Sequence, residues 1–176
     1  MIRVFVSALV FLLLVALEFS FFNSLPLPFF SVPLIFACGL YFFQHLGSSV
    51  GLWWLLALGI YLDFYHLGLV FGETFIYGVT VLFVILLGRR LFTNRSFYGV
   101  VGNAVLSLWF LHLVQFTWFF IGTFNQDIPF PWWSTFIFVF WQTVFLFLLI
   151  TILFFLARRV SLFFHRLLIV PNRENL

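Results

Sequence analysis

The sequence has no lysine and very little charge of either sign. Its 176 residues include eight Lys or Arg, all of them arginine, and five Asp or Glu, so 7% of the chain is charged while 65% is hydrophobic. A soluble domain carries roughly 25% charged residues, and this chain has too few to cover a water-facing surface. The absence of lysine excludes retinal-type Schiff-base chemistry, which needs a lysine amine. We therefore predict that the chain is embedded in a lipid bilayer.

Other absences narrow the chemistry further. A single cysteine, Cys38, excludes an internal disulfide, and in its apolar run we expect a small buried hydrophobe. The zinc-protease spacing His-Glu-x-x-His, the Gly-x-Ser-x-Gly elbow and a phosphate-binding glycine loop are all missing. A haem between His66 and His112 is the less favoured alternative, because a lone histidine on a polar helix face is more often a hydrogen-bond donor. We predict no enzyme activity, no cofactor and no metal site.

The apolar runs are long enough for transmembrane helices. A bilayer core of about 30 Å needs about 20 apolar residues per helix. We predict an all-α polytopic membrane protein, a single domain over residues 1–176 with about six transmembrane helices. The second helix is short, and whether it crosses fully is left open. The helices are expected near residues 3–22, 30–45, 49–65, 69–88, 97–121 and 134–157, followed by a basic tail at 158–176.

The arginines determine the predicted topology. With six helices and a cytoplasmic N-terminus, all eight fall on the cytoplasmic side, as the bias of positive residues requires. Five helices would place the arginine-rich loop and tail on opposite sides. We therefore expect both termini in the cytoplasm and no nucleic-acid partner, because the arginines form no single patch. Five arginines are expected to fix the orientation of the protein in the membrane and to contact anionic lipid: Arg89, Arg90, Arg95, Arg158 and Arg159.

The stretch from Gly59 to Tyr77 contains the candidate functional site. It holds two of the five acidic residues, and an ionisable residue at membrane depth is by default a functional-site hypothesis. Gly51, Gly59 and Asp63 lie at multiples of four, so they share one helix face that another helix can approach closely. The candidate docking or ligand-contacting residues are Gly51, Gly59, Asp63, His66, Gly68, Gly72, Glu73, Tyr77, Asn103 and Gln115.

Two of these features admit alternatives. Asp63 with His66 is either a helix end with polar side chains at the water boundary or, with Glu73, an organised acidic corner that docks a partner or a ligand headgroup. The second alternative is suggested by the glycine-rich backbone beside both carboxylates, whose free amides need acceptors. Glu18 is either a carboxylate at the headgroup boundary or a contact embedded in the membrane.

Two further expectations concern helix ends and faces. Ser31 is the expected cap of the second helix, with Pro33 in its first turn. On the fifth helix, Asn103, Ser107 and Gln115 share an arc of about 120°, and this side is expected to face protein.

The pattern of Gly59, Asp63, Gly68 and Gly72 among six short helices resembles the bacterial rod-shape-determining MreD family. Pro33 matches the family's proline before the second helix. Two positions depart from the pattern: the spacing from Asp63 to Gly68 is one residue longer, and Leu34 replaces the acidic or amide residue that often follows the proline. The arginine-rich loop and the basic tail also fit.

The resemblance implies a non-catalytic component of the cell-elongation machinery in the bacterial inner membrane. It implies membrane lipids, an MreC-like single-span protein and the MreB-linked elongation complex as partners, with the oligomeric state open. The family's fold is similar to that of vitamin-binding S-components of transporters. The alternative function is thus small-molecule binding, in a pocket lined by Asp63, Glu73, Tyr77, His112 and aromatic side chains. A third interpretation, a lipid-modifying enzyme, lacks a nucleophile–base pair.

Overall fold

The computed structural model describes residues 2–65, 72–93, 95–123 and 132–167 of the chain. This part is helical with short connections and contains no strand, which confirms the predicted all-α class for the residues described. Its six α-helices are α1 (Ile2–Ala16), α2 (Leu34–Gln44), α3 (Val50–Tyr65), α4 (Glu73–Arg90), α5 (Phe97–Thr123) and α6 (Trp132–Leu167). A π turn (Leu17–Phe21) and a 3-10 turn (Phe22–Ser24) continue α1, and a second 3-10 turn (Phe29–Ser31) precedes α2.

The outward surface of the described helices is apolar. Three stretches are long and apolar enough to cross a membrane: Phe5–Ser24, Phe97–Gly122 and Trp132–Ala157. Large apolar side chains such as Leu12 and Leu113 are exposed along them. Exposed apolar surface on this scale marks contact with lipid or with other proteins, so the chain has the character of a membrane protein.

Helix α2 forms the centre of the bundle. It packs against α1, α3, α5 and α6, and its side chains are buried almost all the way round, including Ile35 and Leu40 at 0% exposure. A helix that is hydrophobic on every side is expected in a core. Its 11 residues span roughly 17 Å, about half of a hydrocarbon core of about 30 Å. Helix α2 alone is therefore shorter than the hydrocarbon core, and the apolar stretch that contains it begins earlier, at Phe29.

Glycines let α2, α3 and α4 approach closely. A Cβ atom placed on Gly51 of α3 would lie 2.0 Å from the carbonyl oxygen of Gly39 on α2. A Cβ atom on Gly59 would lie 2.9 Å from the Cβ atom of Tyr77 and 3.1 Å from the carbonyl oxygen of Glu73, both on α4. The predicted close approach to this face is thus made by helices of the same chain. Gly51 and Gly59 are buried inside the fold and do not offer the predicted docking face to a separate partner.

Several helix ends differ from the predicted ones. Helix α6 continues to Leu167 instead of ending near residue 157, because arginine is a good helix former and no glycine or proline occurs from residue 132 to residue 170. The same helix begins at Trp132, two residues early. Helix α4 begins at Glu73 among the described residues, and the predicted start at residue 69 lies outside them.

The start of α2 is not capped by Ser31. The Ser31 hydroxyl donates to the carbonyl of Pro28 at 2.7 Å, and α2 begins three residues later at Leu34. The amide of Ile35 instead donates to the Glu18 carboxylate at 2.7 Å. A residue of the preceding helix therefore supplies the acceptor that the first turn of α2 needs.

We expect Gly51→Ala to destabilise the bundle strongly. The added methyl group would overlap a backbone carbonyl that has no rotamer to escape into, and overpacking costs about 1–3 kcal/mol or more. The matched control is Gly78→Ala on α4, where an added Cβ meets nothing within 4 Å. Thermal unfolding of both variants in detergent measures the difference, and equal melting temperatures would contradict the close packing of α2 on α3.

Candidate functional site

Asp63, near the end of α3, binds the beginning of α4. Its Oδ1 accepts the amides of Gly72 at 3.1 Å and Glu73 at 2.8 Å. Its Oδ2 accepts the amide of Thr74 at 2.9 Å and the hydroxyl of the same residue at 2.5 Å. The first amides of a helix lack partners within the helix, and its dipole favours a negative charge there. The carboxylate therefore caps α4 within the same chain, and the predicted docking role of this corner stays a prediction.

Gly72 completes this corner. Its φ of 137° lies in the region that disfavours side chains, and a Cβ atom there would lie 2.8 Å from the Trp118 indole of α5. The same indole contacts the ring of Phe75, with 5.6 Å between ring centroids. Helix α5 thus packs directly against the start of α4, where only glycine fits.

Two of the predicted corner residues, His66 and Gly68, lie outside the described residues. Of the arginines predicted to fix the orientation, some have described side chains and others do not. Arg89 and Arg90 are exposed in the last turn of α4, where positive charge is favoured by the helix dipole. Arg95 is exposed in the connection to α5. Arg158 and Arg159 belong to α6, but their side chains lie outside the described part.

A polar pocket of about 230 Å³ lies beside the corner. It is formed by the turns that follow α1 and precede α2, together with α3, α4, α5 and α6. About half of its wall is apolar and includes the rings of Phe19, Phe30 and Phe138. Its polar wall consists of Glu18, Asn23, Ser31, Glu73, Tyr77, His112, Gln115 and Gln142. Such a group of polar side chains inside an apolar bundle is a candidate binding site.

A chain of hydrogen bonds crosses this pocket from α6 to α4. The ring of His112 contacts the side-chain oxygen of Gln115 through Nδ1 at 3.1 Å and that of Gln142 through Nε2. Nε2 of Gln115 donates to Oε2 of Glu73 at 3.3 Å. Side-chain hydrogen bonds between membrane helices average about 0.6 kcal/mol each. The chain therefore orients the polar groups more than it stabilises the bundle.

Glu18 also lines the pocket. The π turn after α1 carries it to the start of α2, where its carboxylate accepts the Ile35 amide. This hydrogen bond is a contact within the protein, and whether Glu18 lies at the headgroup boundary or deeper in the membrane stays a prediction. The side chain is half-buried and also faces the pocket.

Asn103, predicted to share a site with Gln115, belongs to a separate polar cluster. Its Nδ2 donates to the side-chain oxygen of Gln44 at 2.7 Å, and its Oδ1 accepts the Ser107 hydroxyl at 3.1 Å. Nε2 of Gln44 donates in turn to the carbonyl of Phe92 at 2.9 Å. Twelve residues separate Asn103 from Gln115, which is roughly 18 Å along a helix. The shared arc of α5 does face protein, but its two ends serve different sites.

The sequence reasoning did not include Glu18 and Gln142 among the candidate site residues. Both lie in long apolar runs, where any carboxylate or amide needs a partner within the protein. The position of each polar residue within an apolar run therefore already indicated a partner inside the protein. What the sequence does not contain is which helices would bring the two to one pocket.

The described part of the chain has no group of three or more His, Cys, Asp or Glu side chains placed to hold a metal ion. Comparison with protein-family models, with curated proteins and with solved structures finds no match. The described part of the chain is helical, has three stretches apolar and long enough to cross a membrane, and carries a carboxylate-capped helix pair with a polar pocket beside it.

We expect Asp63→Ala to lower the free energy of unfolding by about 1–2 kcal/mol, the usual loss when a helix cap is removed. Asp63→Asn should be intermediate, because an amide retains an acceptor oxygen while the charge that favours the helix N-terminus, worth about 0.3–1 kcal/mol, is lost. Thr117→Ala, at an exposed position of α5, is the control. Thermal unfolding in detergent ranks the variants, and an Asp63→Ala protein as stable as the control would show that the cap is not formed.

Proposed function

We propose that this protein is a non-catalytic component of a bacterial cell-elongation complex, of the kind that the MreD resemblance implies. The observation that carries the proposal is the use of the motif residues in the fold. Gly59 allows α4 to approach α3, Asp63 caps α4, and Gly72 provides the turn that Trp118 covers. All three shape the α3–α4 pair. Because these residues pack one helix against the other, the motif favours a structural protein whose outer surface contacts its partners.

The membrane orientation proposed for this function is six spans in the inner membrane with both termini in the cytoplasm. It is supported by the two ends of α4. Glu73 and the Asp63 corner stand at the beginning of this 18-residue helix, and the exposed Arg89 and Arg90 stand at its end. A helix of that length is roughly 27 Å long, so acid and base lie near opposite faces of a bilayer. The bias of positive residues assigns the arginine end to the cytoplasm.

Cysteine labelling in intact cells tests this orientation. Ser24 follows α1 and Ser96 precedes α5, and both are exposed. We expect Ser24→Cys to react with a membrane-impermeant maleimide from outside, and Ser96→Cys to react only after permeabilisation. The native Cys38 is buried and gives the background. Reaction of both cysteines from the same side, or the reverse order, would contradict the proposed orientation.

The partner proposed for this protein is a single-span membrane protein of the MreC type, linked to the elongation complex. The buried glycine face cannot receive it, because α2 and α4 already occupy that face. Docking therefore falls to the outward apolar surface. Exposed leucines report on different parts of this surface: Leu12 on α1 at 64% exposure, Leu113 on α5 at 60% and Leu156 on α6 at 53%.

Photo-crosslinking from these three positions tests the docking function. With the protein co-expressed with the single-span partner encoded in the same genome, we expect adducts from one or two of the positions and none from the others, because a specific partner covers one face. A partner whose span is replaced by an unrelated apolar helix is the control and should give no adduct. The docking function is rejected if all three positions give no adduct, or if the control partner gives the same adducts.

The polar pocket favours a second candidate function, small-molecule binding of the S-component type. Glu73, Tyr77 and His112 line it with aromatic side chains, as that alternative predicts, whereas Asp63 is not among the lining residues. Its volume of about 230 Å³ is below the roughly 300–1,000 Å³ of sites for drug-sized ligands. The pocket is thus smaller than most such sites, and we place the scaffold function first.

A further inference from the structure

We propose that an aromatic groove at the arginine-bearing end of the bundle is a discrete binding site for one anionic phospholipid. The groove has a volume of about 760 Å³, within the roughly 300–1,000 Å³ of sites for small molecules. It lies between the end of α2, the start of α5 and the middle of α6, and its described lining residues include Tyr41, His45, Phe97, Phe147, Thr151 and Phe154. This inference goes beyond a general contact of the arginines with lipid and does not depend on the scaffold function.

The hydroxyl of Tyr41 is the observation that points to a ligand. Tyr41 lines the groove and is 4% exposed, and its hydroxyl is buried without a hydrogen-bond partner. No other buried side-chain nitrogen or oxygen of the described residues is in this state. Because a buried polar group without a partner is costly and rare in native structures, we infer that an oxygen atom of a bound molecule accepts this hydrogen bond.

The remaining walls of the groove fit an acyl chain. The ring of Phe154 packs edge-on against Tyr41 and Phe97, with 5.3 and 5.4 Å between ring centroids. Along α6 the lining residues extend over ten positions, from Phe147 to Ala157, which is roughly 15 Å of helix. That length equals one half of a hydrocarbon core of about 30 Å. Phe147 is 46% exposed, so the groove opens to the side of the bundle, where a lipid can enter.

The charges beside the groove favour an anionic head group. The ring of His45 contacts the carbonyl oxygen of Arg95 through Nδ1 at 3.1 Å, which holds the connection to α5 next to the groove. The guanidinium of Arg95 lies over Gly47, where an added Cβ atom would be 2.8 Å from Nη2, and Gly47 follows the lining residue Leu46. Arginine can bind a phosphate group through two parallel hydrogen bonds.

No acidic side chain opposes this positive charge among the described lining residues. The three acidic side chains of the described part, Glu18, Asp63 and Glu73, lie at the starts of α2 and α4, whereas the groove lies at the end of α2. The two ends of the bundle therefore differ in charge, and the groove is at the positive one.

The order of groups along α2 matches the order of groups in a phospholipid. Tyr41 precedes His45 by four residues, so it lies roughly 6 Å further from the end of the helix. In a phospholipid the ester groups lie between the phosphate and the acyl chains. A phosphate beside Arg95 thus directs the ester carbonyl oxygens toward Tyr41 and the acyl chains along α6.

Native mass spectrometry of the full-length protein, released from a non-ionic detergent, tests this site. We expect one phosphatidylglycerol to bind saturably to each chain. A diacylglycerol with the same acyl chains, which has the esters but no phosphate, should bind at least about tenfold more weakly, the scale of losing one charged hydrogen-bonding partner. A dimer that forms in place of the lipid complex would assign the groove to a second copy of the chain and overturn the inference.

Two substitutions separate the roles of the hydroxyl and the guanidinium. Tyr41→Phe keeps the ring and should weaken binding of both lipids about threefold to tenfold, the scale of one hydrogen bond, because both carry ester carbonyls. Arg95→Gln should weaken phosphatidylglycerol alone. Tyr98→Phe, at a tyrosine of α5 that is 83% exposed and outside the described lining, is the control and should bind as the unmodified protein does.

Thermal unfolding without added lipid separates binding from a structural role of the hydroxyl. Since the Tyr41 hydroxyl has no partner in the fold, Tyr41→Phe should melt at a temperature no lower than that of the unmodified protein. A lower melting temperature would show that the hydroxyl already has a partner, and would overturn the inference. So would the absence of saturable phosphatidylglycerol binding, equal binding of the diacylglycerol, or equal affinities of Tyr41→Phe and Tyr98→Phe.

Discussion

The carboxylate of Asp63 against the first amides of α4 is the interaction on which the rest of the structure depends. It joins α3 to α4 by four hydrogen bonds at a point where the helix otherwise has unsatisfied donors. Such donors need an acceptor from outside the helix, and here the carboxylate of α3 supplies it. With the two helices joined at this end, Gly59 lies against α4 along their length. Glu73 is then directed into the polar pocket, where it accepts Gln115.

The interior is organised in two polar groups separated by an apolar core. One group surrounds the pocket near the Asp63 corner, and the other joins Gln44, Asn103 and the turn at Phe92. Helix α2 is short and mostly buried between its neighbours, and its two ends are held by these groups, through Glu18 at its start and Gln44 at its end. A helix shorter than the hydrocarbon core is thus held at both ends by hydrogen bonds to other parts of the chain.

Much of the architecture could be predicted from the sequence. Apolar runs predicted the helices, two glycines eight residues apart on one face predicted the close approach at α3, and free amides near Gly72 predicted an acceptor. The capping of α2 by Glu18 could not be predicted, because it depends on how a π turn rotates the end of α1. The face of Gly51 and Gly59 was predicted to bind an outside partner. Periodicity shows that a helix face consists of small residues, but it does not show which helix packs against that face. Asn103 and Gln115 were predicted to share a site for the same reason. Residues on one arc of a helix can contact different neighbours at different heights along the helix axis.

Amide hydrogen exchange at the start of α4 measures the central interaction directly. Glu73 and Thr74 are in the first turn of the helix, where amides exchange freely unless an acceptor holds them. We predict that both amides are protected in the unmodified protein and exchange at least about tenfold faster in Asp63→Ala, while the amide of buried Val84 in the same helix is unchanged. Free exchange of Glu73 and Thr74 in the unmodified protein, or rates that do not respond to Asp63→Ala, would contradict the account.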